Sequence, residues 1–461
     1  MIPIRGSNCK ILRILSGTLP RKNVNDQREG SRRTFQTRSN PRPLKSFADT
    51  FVALIEAARN TPRQLSVGEC QSAPGDRCRL CHAVSLTYED EVALRQRALA
   101  EFWSRELSGI PVDPLVPSPR GRAYRTVTKR RAFRSRGGVR IGLIDPSDSG
   151  RFAAFEVMRC AIEPDAHAHL FAVVREFINT PHAEPLAGRL LYVVIKGSTS
   201  EFGVIFHVRE ITHDLVQTVN ILSKILTGKC KGIVGVFVME GNPTGERTPR
   251  YYLGDRRARP QRSFRKIFGE RDLTTQILGR RFAFSPLSFT QANQSLFAEL
   301  LTAVRRLLHL RADRTFYDLY CGYGPFSLCY AGDVRSVIGI DASPEAIASA
   351  IANARKQRVV NARFLHSDIT PTSLRSILKS ASPQDTLLLD PPRNGTAPGV
   401  VEFIAARRFA CVAHIFCSID LLPSEVRRWR THGYRAVRAV PFDMFPGTSE
   451  VEILVLLEPE Q

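Results

Sequence analysis

"TFYDLYCGYGPFSL", residues 315–328, decides the fold. An apolar run from Thr315 to Leu319 passes into Tyr320-Cys321-Gly322-Tyr323-Gly324 and then into a helix-like segment. Glycines directly after a strand let the backbone approach a ligand closely and admit the first turn of a helix. Next, "SVIGID" ends on Asp341, Ser343 is placed to cap a helix, and Pro344 suits its first turn. Three more strands follow: "ARFLHSD" ending on Asp368, "DTLLLDPPR" carrying Asp390, and "VAHIFCSI" carrying Cys417. "VEILVLLEP" is the last strand. Strands alternating with helices predict an α/β fold, a Rossmann-like doubly wound domain over 281–461.

In such a sheet, ligands bind beyond the carboxyl ends of the strands. An acid one strand after the glycine loop, Asp341, can bind both ribose hydroxyls. Asp368 can meet an adenine amine. A glycine loop with two acids in register predicts a nucleoside-containing cofactor, and S-adenosyl-L-methionine fits best. Asp390-Pro391-Pro392-Arg393 would face the cofactor's methyl group. Enzymes that methylate exocyclic amines place an aromatic residue after the two prolines; Arg393 argues against that chemistry.

Cys417 ends the strand that follows Asp390. Most cysteines at such places are structural, but both strand ends should open on one cleft. Carbon 5 of uracil accepts a methyl only after a thiolate has added at carbon 6. A base must then remove the carbon-5 proton so that the thiolate can leave. Glu450 and Glu452, before "ILVLL", are both candidates for that base, because partial burial raises a carboxyl pKa toward neutrality.

The 461 residues carry a formal net charge of +22. Residues 1–65 hold 13 Lys/Arg against 4 Asp/Glu, 66–280 hold 33 against 23, and 281–461 hold 20 against 17. The basic excess therefore precedes the α/β domain and implies a polyanionic partner, most often nucleic acid. Residues 118–140 contain nine basic residues and no acid, so Tyr124, Arg125, Lys129, Arg130 and Arg131 are candidate RNA contacts. A second basic–aromatic cluster spans 255–271. Residues 1–65 read as a disordered basic extension, with a short helix possible over 46–58. Its start has features of an organellar targeting segment, an RNA-binding arm or a mis-set start. Residues 66–280 read as a central α+β domain, with a helix over 88–104 that can pack on the catalytic domain. No apolar run approaches the roughly 20 residues of a membrane helix. Ten cysteines in this length are too sparse for a disulfide scaffold.

Together these residues resemble the S-adenosylmethionine-dependent RNA uracil-C5 methyltransferases. "SPLSFTQAN" is similar to that family's F-x-Q-x-N segment and "DLYCGYGPFSL" to its glycine loop. "DPPR" matches its aspartate loop, and Cys417 falls on the nucleophile of S-C-N-P. "DMFPGTSEVE" resembles D-M-F-P-H-T-x-H-x-E, which selects Glu452 over Glu450 as the base. The resemblance implies cofactor contacts from Gln291, Tyr320, Gly322, Gly324, Asp341, Asp368 and Asp390. Cys70, Cys78, Cys81 and Cys160 resemble the ligands of the family's iron–sulfur branch, implying a 4Fe–4S cluster in the central RNA-binding domain. Zinc is the alternative that ligand type leaves open. The spacing is most similar to the branch that methylates a 23S ribosomal RNA uridine. Ribosomal RNA is therefore favoured over transfer RNA, with a monomeric enzyme, a cytoplasmic location and no membrane partner; a mitochondrial or other organellar location follows if the extension is a transit peptide.

Three departures stand out. Ser418-Ile419 replaces Asn-Pro after the nucleophile, Pro325 replaces the Asn after the glycine loop, and Gly447 and Glu450 replace two histidines near the base. They motivate a rival reading as a non-catalytic RNA-binding relative. An RNA cytosine-C5 methyltransferase is the second rival, disfavoured because Arg393 stands where that family carries a cysteine.

Overall fold

The computed structural model describes residues 46–59, 68–70, 78, 80–84, 86–145, 153–241 and 263–460. All lie within one compact unit, Lys45–Gln461. Its elements begin with helices α1 (Phe47–Arg59) and α2 (Tyr88–Glu106). There follow β1 (Val127–Ser135), β2 (Gly138–Asp145), β3 (Ala153–Glu156), α3 (Asp165–Ile178), α4 (Glu184–Ala187), β4 (Leu190–Gly197), β5 (Phe202–Val208), α5 (His213–Lys229), β6 (Ile233–Glu240) and β7 (Phe264–Gly269). A ribbon of β8 (Leu273–Ile277) and β9 (Arg280–Phe284) then leads into α6 (Gln294–Leu308). The remainder is β10 (Thr315–Leu319), α7 (Pro325–Tyr330), β11 (Ser336–Asp341), α8 (Pro344–Lys356), β12 (Ala362–His366), α9 (Pro371–Ile377), β13 (Thr386–Leu389), α10 (Val400–Ala405), β14 (Cys411–Phe416), α11 (Leu422–Thr431), β15 (Tyr434–Phe442) and β16 (Glu452–Pro459).

Two seven-stranded sheets organise these elements. The central one runs β3-β2-β1-β4-β5-β6-β7 and is antiparallel except where β6 lies parallel to β5. Helices α3 and α5 cover one face, packing Leu170, Phe171, Val174, Val219 and Leu222 against Val193, Ile195 and Val204. The other face shares a continuous core with the ribbon, α6 and the second sheet, through Val194, Ile205, Phe237, Leu273, Leu300 and Leu454.

The second sheet runs β12-β11-β10-β13-β14-β16-β15. Its first five strands are parallel, so the doubly wound arrangement expected from the sequence is present. The order reverses between β10 and β13, the switch point at which such sheets bind ligands. The last strand departs from the parallel pattern. β16 inserts antiparallel between β14 and β15, pairing Phe416 with Ile453 and Phe442 with Glu452.

The short helix expected over 46–58 is present as α1, so the disordered extension expected over 1–65 does not hold for residues 46–59. α1 buries Phe47, Phe51 and Ile55 in a core shared with Phe102, Phe416, Ile419 and Leu422. Fully burying such side chains contributes on the order of 1.5–3 kcal/mol each, which offsets part of the entropy of ordering a 13-residue helix. Expectations for 1–45 and for most of the 255–271 cluster fall outside the described residues. No described helix is long and apolar enough to cross a membrane.

Candidate active site

Three strand ends meet at the switch point. β10 delivers Asp318, whose Oδ2 accepts from the Ser327 amide at 3.0 Å and its hydroxyl at 2.6 Å. Asp318 Oδ1 is buried without a partner, and burial pushes this carboxyl up to about 7. The loop then turns through positive φ at Tyr320, Gly322 and Gly324 (69°, 56° and 87°), the last capping α7. Pro325 sits at the first helical position, where the missing N–H would have had no intrahelical partner. Its replacement of Asn therefore leaves the helix start intact.

Asp341, at the end of β11, ties this loop down: its Oδ2 accepts from the Gly322 amide at 3.1 Å and its Oδ1 from Ser343 at 2.7 Å. A Cβ on Gly322 would meet nothing within 4 Å, so open space lies over the loop. Asp368, beyond β12, is exposed. Gln291 is buried in the loop before α6. That loop is held by Lys196, a residue the sequence reading passed over. Its buried amine on β4 donates to the carbonyls of Pro286 (3.2 Å) and Ser288, and burial pushes its pKa down to about 7. Phe289, two residues before Gln291, stands 69 % exposed.

β13 and β14 place Asp390 and Cys417 side by side. The Cys417 thiol lies 4.0 Å from the Pro391 carbonyl, and it is close enough to the Glu452 carboxylate for each to shift the other's titration. The antiparallel insertion of β16 makes this meeting possible, because pairing Phe416 with Ile453 sets the residues one step beyond, Cys417 and Glu452, opposite each other. Glu452 is 1 % exposed with Oε2 unpartnered. Burial is the main cause that pushes its pKa up to about 7; Glu450 raises it further, while Cys417 and Arg393 pull it down. Asp390 and Cys417 are both raised well above their ordinary values, first by burial and then by neighbouring carboxylates. A neutral thiol beside a half-ionised carboxylate is a pair in which a proton can move. At the rim, Arg393 pairs with Glu450 at 3.1 Å and lies 5.6 Å over the Phe445 ring.

The other departures from the family pattern also have structural reasons. Gly447 has φ +85°, and a Cβ there would stand 3.2 Å from Ile162 and 3.3 Å from Cys81 Cβ. The position of the missing histidine is thus filled by the cysteine loop, whose His82 amide donates to the Gly447 carbonyl at 2.6 Å.

The basic run at 118–140 requires correction. Tyr124 is 1 % exposed and donates its hydroxyl to the Pro446 carbonyl, so it supports the base loop instead of stacking on RNA. Arg130 is 2 % exposed in a bidentate pair with Glu163 (2.7 and 2.5 Å). Lys129 is partly exposed, with its amine 4.9 Å over the Tyr192 ring, and desolvation lowers its pKa to about 8. Arg125 and Arg131 remain partly exposed, and Arg134 and Arg136 are exposed. Alternation along β1 explains why Arg130 is buried while Lys129 and Arg131 are not, since one face of the strand must enter the core.

Of the four front cysteines, Cys81 feels the like charge of Cys70 and Cys78, and Cys160 that of Cys81. Burial drives Cys81 up to about 11 and Cys160 up to about 12. Thiols that oppose one another's ionisation form a donor set that a cation would reconcile. Among the described residues, however, no three His, Cys, Asp or Glu side chains come together in metal-ligand geometry. Residues 71–77 and 79, between the first three cysteines, lie outside the described set.

Residues 261–460 match the family model of tRNA (Uracil-5-)-methyltransferase. An uncharacterized RNA methyltransferase of Thermotoga maritima is 27 % identical over 393 residues, 83 % of this chain and 82 % of its own length. The 23S rRNA (uracil(1939)-C(5))-methyltransferase RlmD of Edwardsiella ictaluri is 34 % identical over 207 residues, 45 % of each chain. In fold, the chain is similar to the tRNA (uracil-54, C5)-methyltransferase of Pyrococcus abyssi solved with S-adenosyl-L-homocysteine. The TM-score is 0.59 at 20 % identity, covering 81 % of this chain and 84 % of that one. The class defined by sheet and site is thus an S-adenosylmethionine-dependent methyltransferase. More narrowly, residues 261–460 match the uracil-C5 methyltransferase family model, and the chain is similar to RNA methyltransferases over most of its length.

Proposed function

We propose that the protein methylates carbon 5 of a uridine in ribosomal RNA through a covalent adduct at Cys417. The observation that carries this reading is the β14–β16 register, which sets Cys417 opposite the buried Glu452 carboxyl at the ends of the strands. Loss of the Cys417 proton to Glu452 lets the thiolate add at carbon 6, and the displaced π pair makes carbon 5 nucleophilic. S-adenosyl-L-methionine, when bound, supplies the methyl group that carbon 5 takes. Glu452 releases the first proton, then removes the carbon-5 proton; the carbon–hydrogen pair re-forms the double bond and expels the thiolate. Asp390 lines the same crevice. Open space over Gly322 and the unpartnered Asp318 Oδ1 fit the cofactor's amino-acid end, with Gln291, Tyr320, Gly324, Asp341 and Asp368 around it. The target uridine must leave its stack to enter, and Arg125 and Arg131 are the surviving candidates of the basic run for phosphate contacts.

Ribosomal RNA is preferred on the ribosomal name of the 34 % identical relative, while the matching family model and the fold neighbour carry transfer-RNA names, which makes transfer RNA the alternative substrate. Tritium release from RNA labelled at uridine carbon 5 tests the reaction. Release from 23S-type fragments in preference to transfer RNA supports the reading, and no release from either refutes it.

Cys70, Cys78, Cys81 and Cys160 are proposed to hold a 4Fe–4S cluster, with zinc as the alternative. Support comes from the spacing and from the mutual thiol electrostatics. Its chemistry would be structural, neutralising four thiolates beside the Gly447 turn. Anaerobic protein that is brown and bleaches with dithionite supports it; stoichiometric zinc in a colourless protein refutes it. A cytoplasmic monomer completes the proposal, checked by fractionation of tagged protein and by light scattering.

A further inference from the structure

The turn after Cys417 lacks the Asn-Pro of the family, and with it the proline that would fix its backbone. A restraint from elsewhere in the chain takes that place. Asp420 Oδ1 accepts the Phe47 amide at 2.9 Å, at the first residue of α1. Ser46 and Asp49 cap the same helix start reciprocally, at 3.0 and 3.1 Å. Asp420 therefore adds a charge-assisted bond between elements 373 positions apart. Ile419 is 4 % exposed and shares the core that holds Phe47 and Phe51.

The neighbouring helix holds the other catalytic loop. On α2, Arg95 donates to the carbonyls of Thr448 (2.6 Å) and Glu450 (2.8 Å), and Glu91 accepts the Gly447 amide at 2.5 Å. Arg95 and Glu91 pair at 2.5 Å, and both side chains are wholly buried. Arg95 also stacks over Phe51 of α1 at 4.8 Å, which joins the two helices.

We propose that α1 and α2 form a clamp that positions both halves of the reaction: α1, through Asp420, sets the Cys417 turn, and α2, through Arg95, sets the entry to Glu452. Asp420 and Arg95 are positioning residues, since neither touches the reacting atoms. The inference rests on Cys417 being the nucleophile and goes beyond it, because it ties a helix from the basic N-terminal region to the active site.

The test compares full-length Asp420→Ala and Asp420→Asn proteins. Asn keeps an oxygen acceptor for the Phe47 amide, whereas Ala removes it. Two readouts are taken: steady-state tritium release, and the rate of Cys417 alkylation by iodoacetamide, mapped by peptide mass spectrometry. Asp420→Ala should lower kcat roughly tenfold with KM for RNA within about twofold, since small misplacements act on the chemical step. Its Cys417 alkylation rate should change at least threefold, and Asp420→Asn should restore both readouts to near wild type. If Asp420→Ala does not fold, Phe51→Leu, which loosens α1 without touching Asp420, should shift alkylation in the same direction. Unchanged Cys417 alkylation in the folded Ala variant, or in Phe51→Leu where Ala does not fold, overturns the clamp. If the wild-type protein releases no tritium, the uridine reading fails by itself and alkylation still decides the clamp.

Discussion

Replacing Glu452 with glutamine removes the base while keeping its shape. The structure sets the expected size of the effect in two ways. Glu452 is pushed up to about 7, chiefly by burial. A carboxyl of that pKa is ~10 % ionised at pH 6 and ~90 % at pH 8, so a step needing its anion speeds up about tenfold between them. An ordinary carboxyl would already be ionised at pH 6 and would give a flat profile. Proton transfer by a positioned base contributes roughly 10²–10⁴-fold, so Glu452→Gln should lower turnover by that factor and abolish the rise with pH. The same shift has a stability consequence. Because the folded pKa lies above the unfolded value, the folded state holds the proton more tightly. The penalty is absent below about pH 4.5 and complete above about pH 7. Glu452→Gln should therefore stabilise the fold at pH 8 by up to about 3 kcal/mol and hardly at pH 4.5. Single-turnover tritium release from pH 5.5 to 8.5, with thermal melting at both ends, measures both effects. A wild-type rate flat above pH 6, or a glutamine variant with wild-type turnover, would refute the assignment of Glu452.

The rim pair tunes that base. Glu450→Gln removes a charge that raises Glu452, so the inflection of the pH–rate profile should move to lower pH; Arg393→Ala should move it to higher pH. Gly447→Ala should destabilise the protein by about 1–2 kcal/mol in chemical denaturation, because φ is +85° and Ile162 and Cys81 crowd the new methyl. Arg95→Met should cost roughly 3–5 kcal/mol in the same assay, since it strands Asp443 as a buried carboxylate without its cation and leaves Glu91 with Arg122 alone.

Local chemistry made much of the catalytic sheet legible. Strand ends with glycine, acid and proline signals identified β10, β11 and β13, because a ligand crevice needs those residues at those ends. Pairing partners distant in sequence were not legible. Nothing in "VEILVLLEP" says that β16 enters antiparallel beside β14, yet that register brings Glu452 to Cys417. Arg130 looked like an RNA contact because Glu163, 33 positions away, supplies its charge only in the fold. Residues 46–59 sit in a basic, acid-poor stretch, and their amphipathic face finds its partner only in the core of the catalytic sheet. Gly447 looked like a lost histidine; the approach of Cys81 gives its small size a reason.

The central claim is a covalent bond between Cys417 and carbon 6 of a uridine. Substrate RNA carrying 5-fluorouridine tests it directly, because fluorine at carbon 5 cannot be removed as a proton and the adduct persists. With S-adenosyl-L-methionine present, the account predicts a denaturation-stable protein–RNA complex whose digest places methylated fluorouridine on Cys417, and no complex with Cys417→Ala. No complex with the wild-type protein, or attachment at another residue, would contradict it.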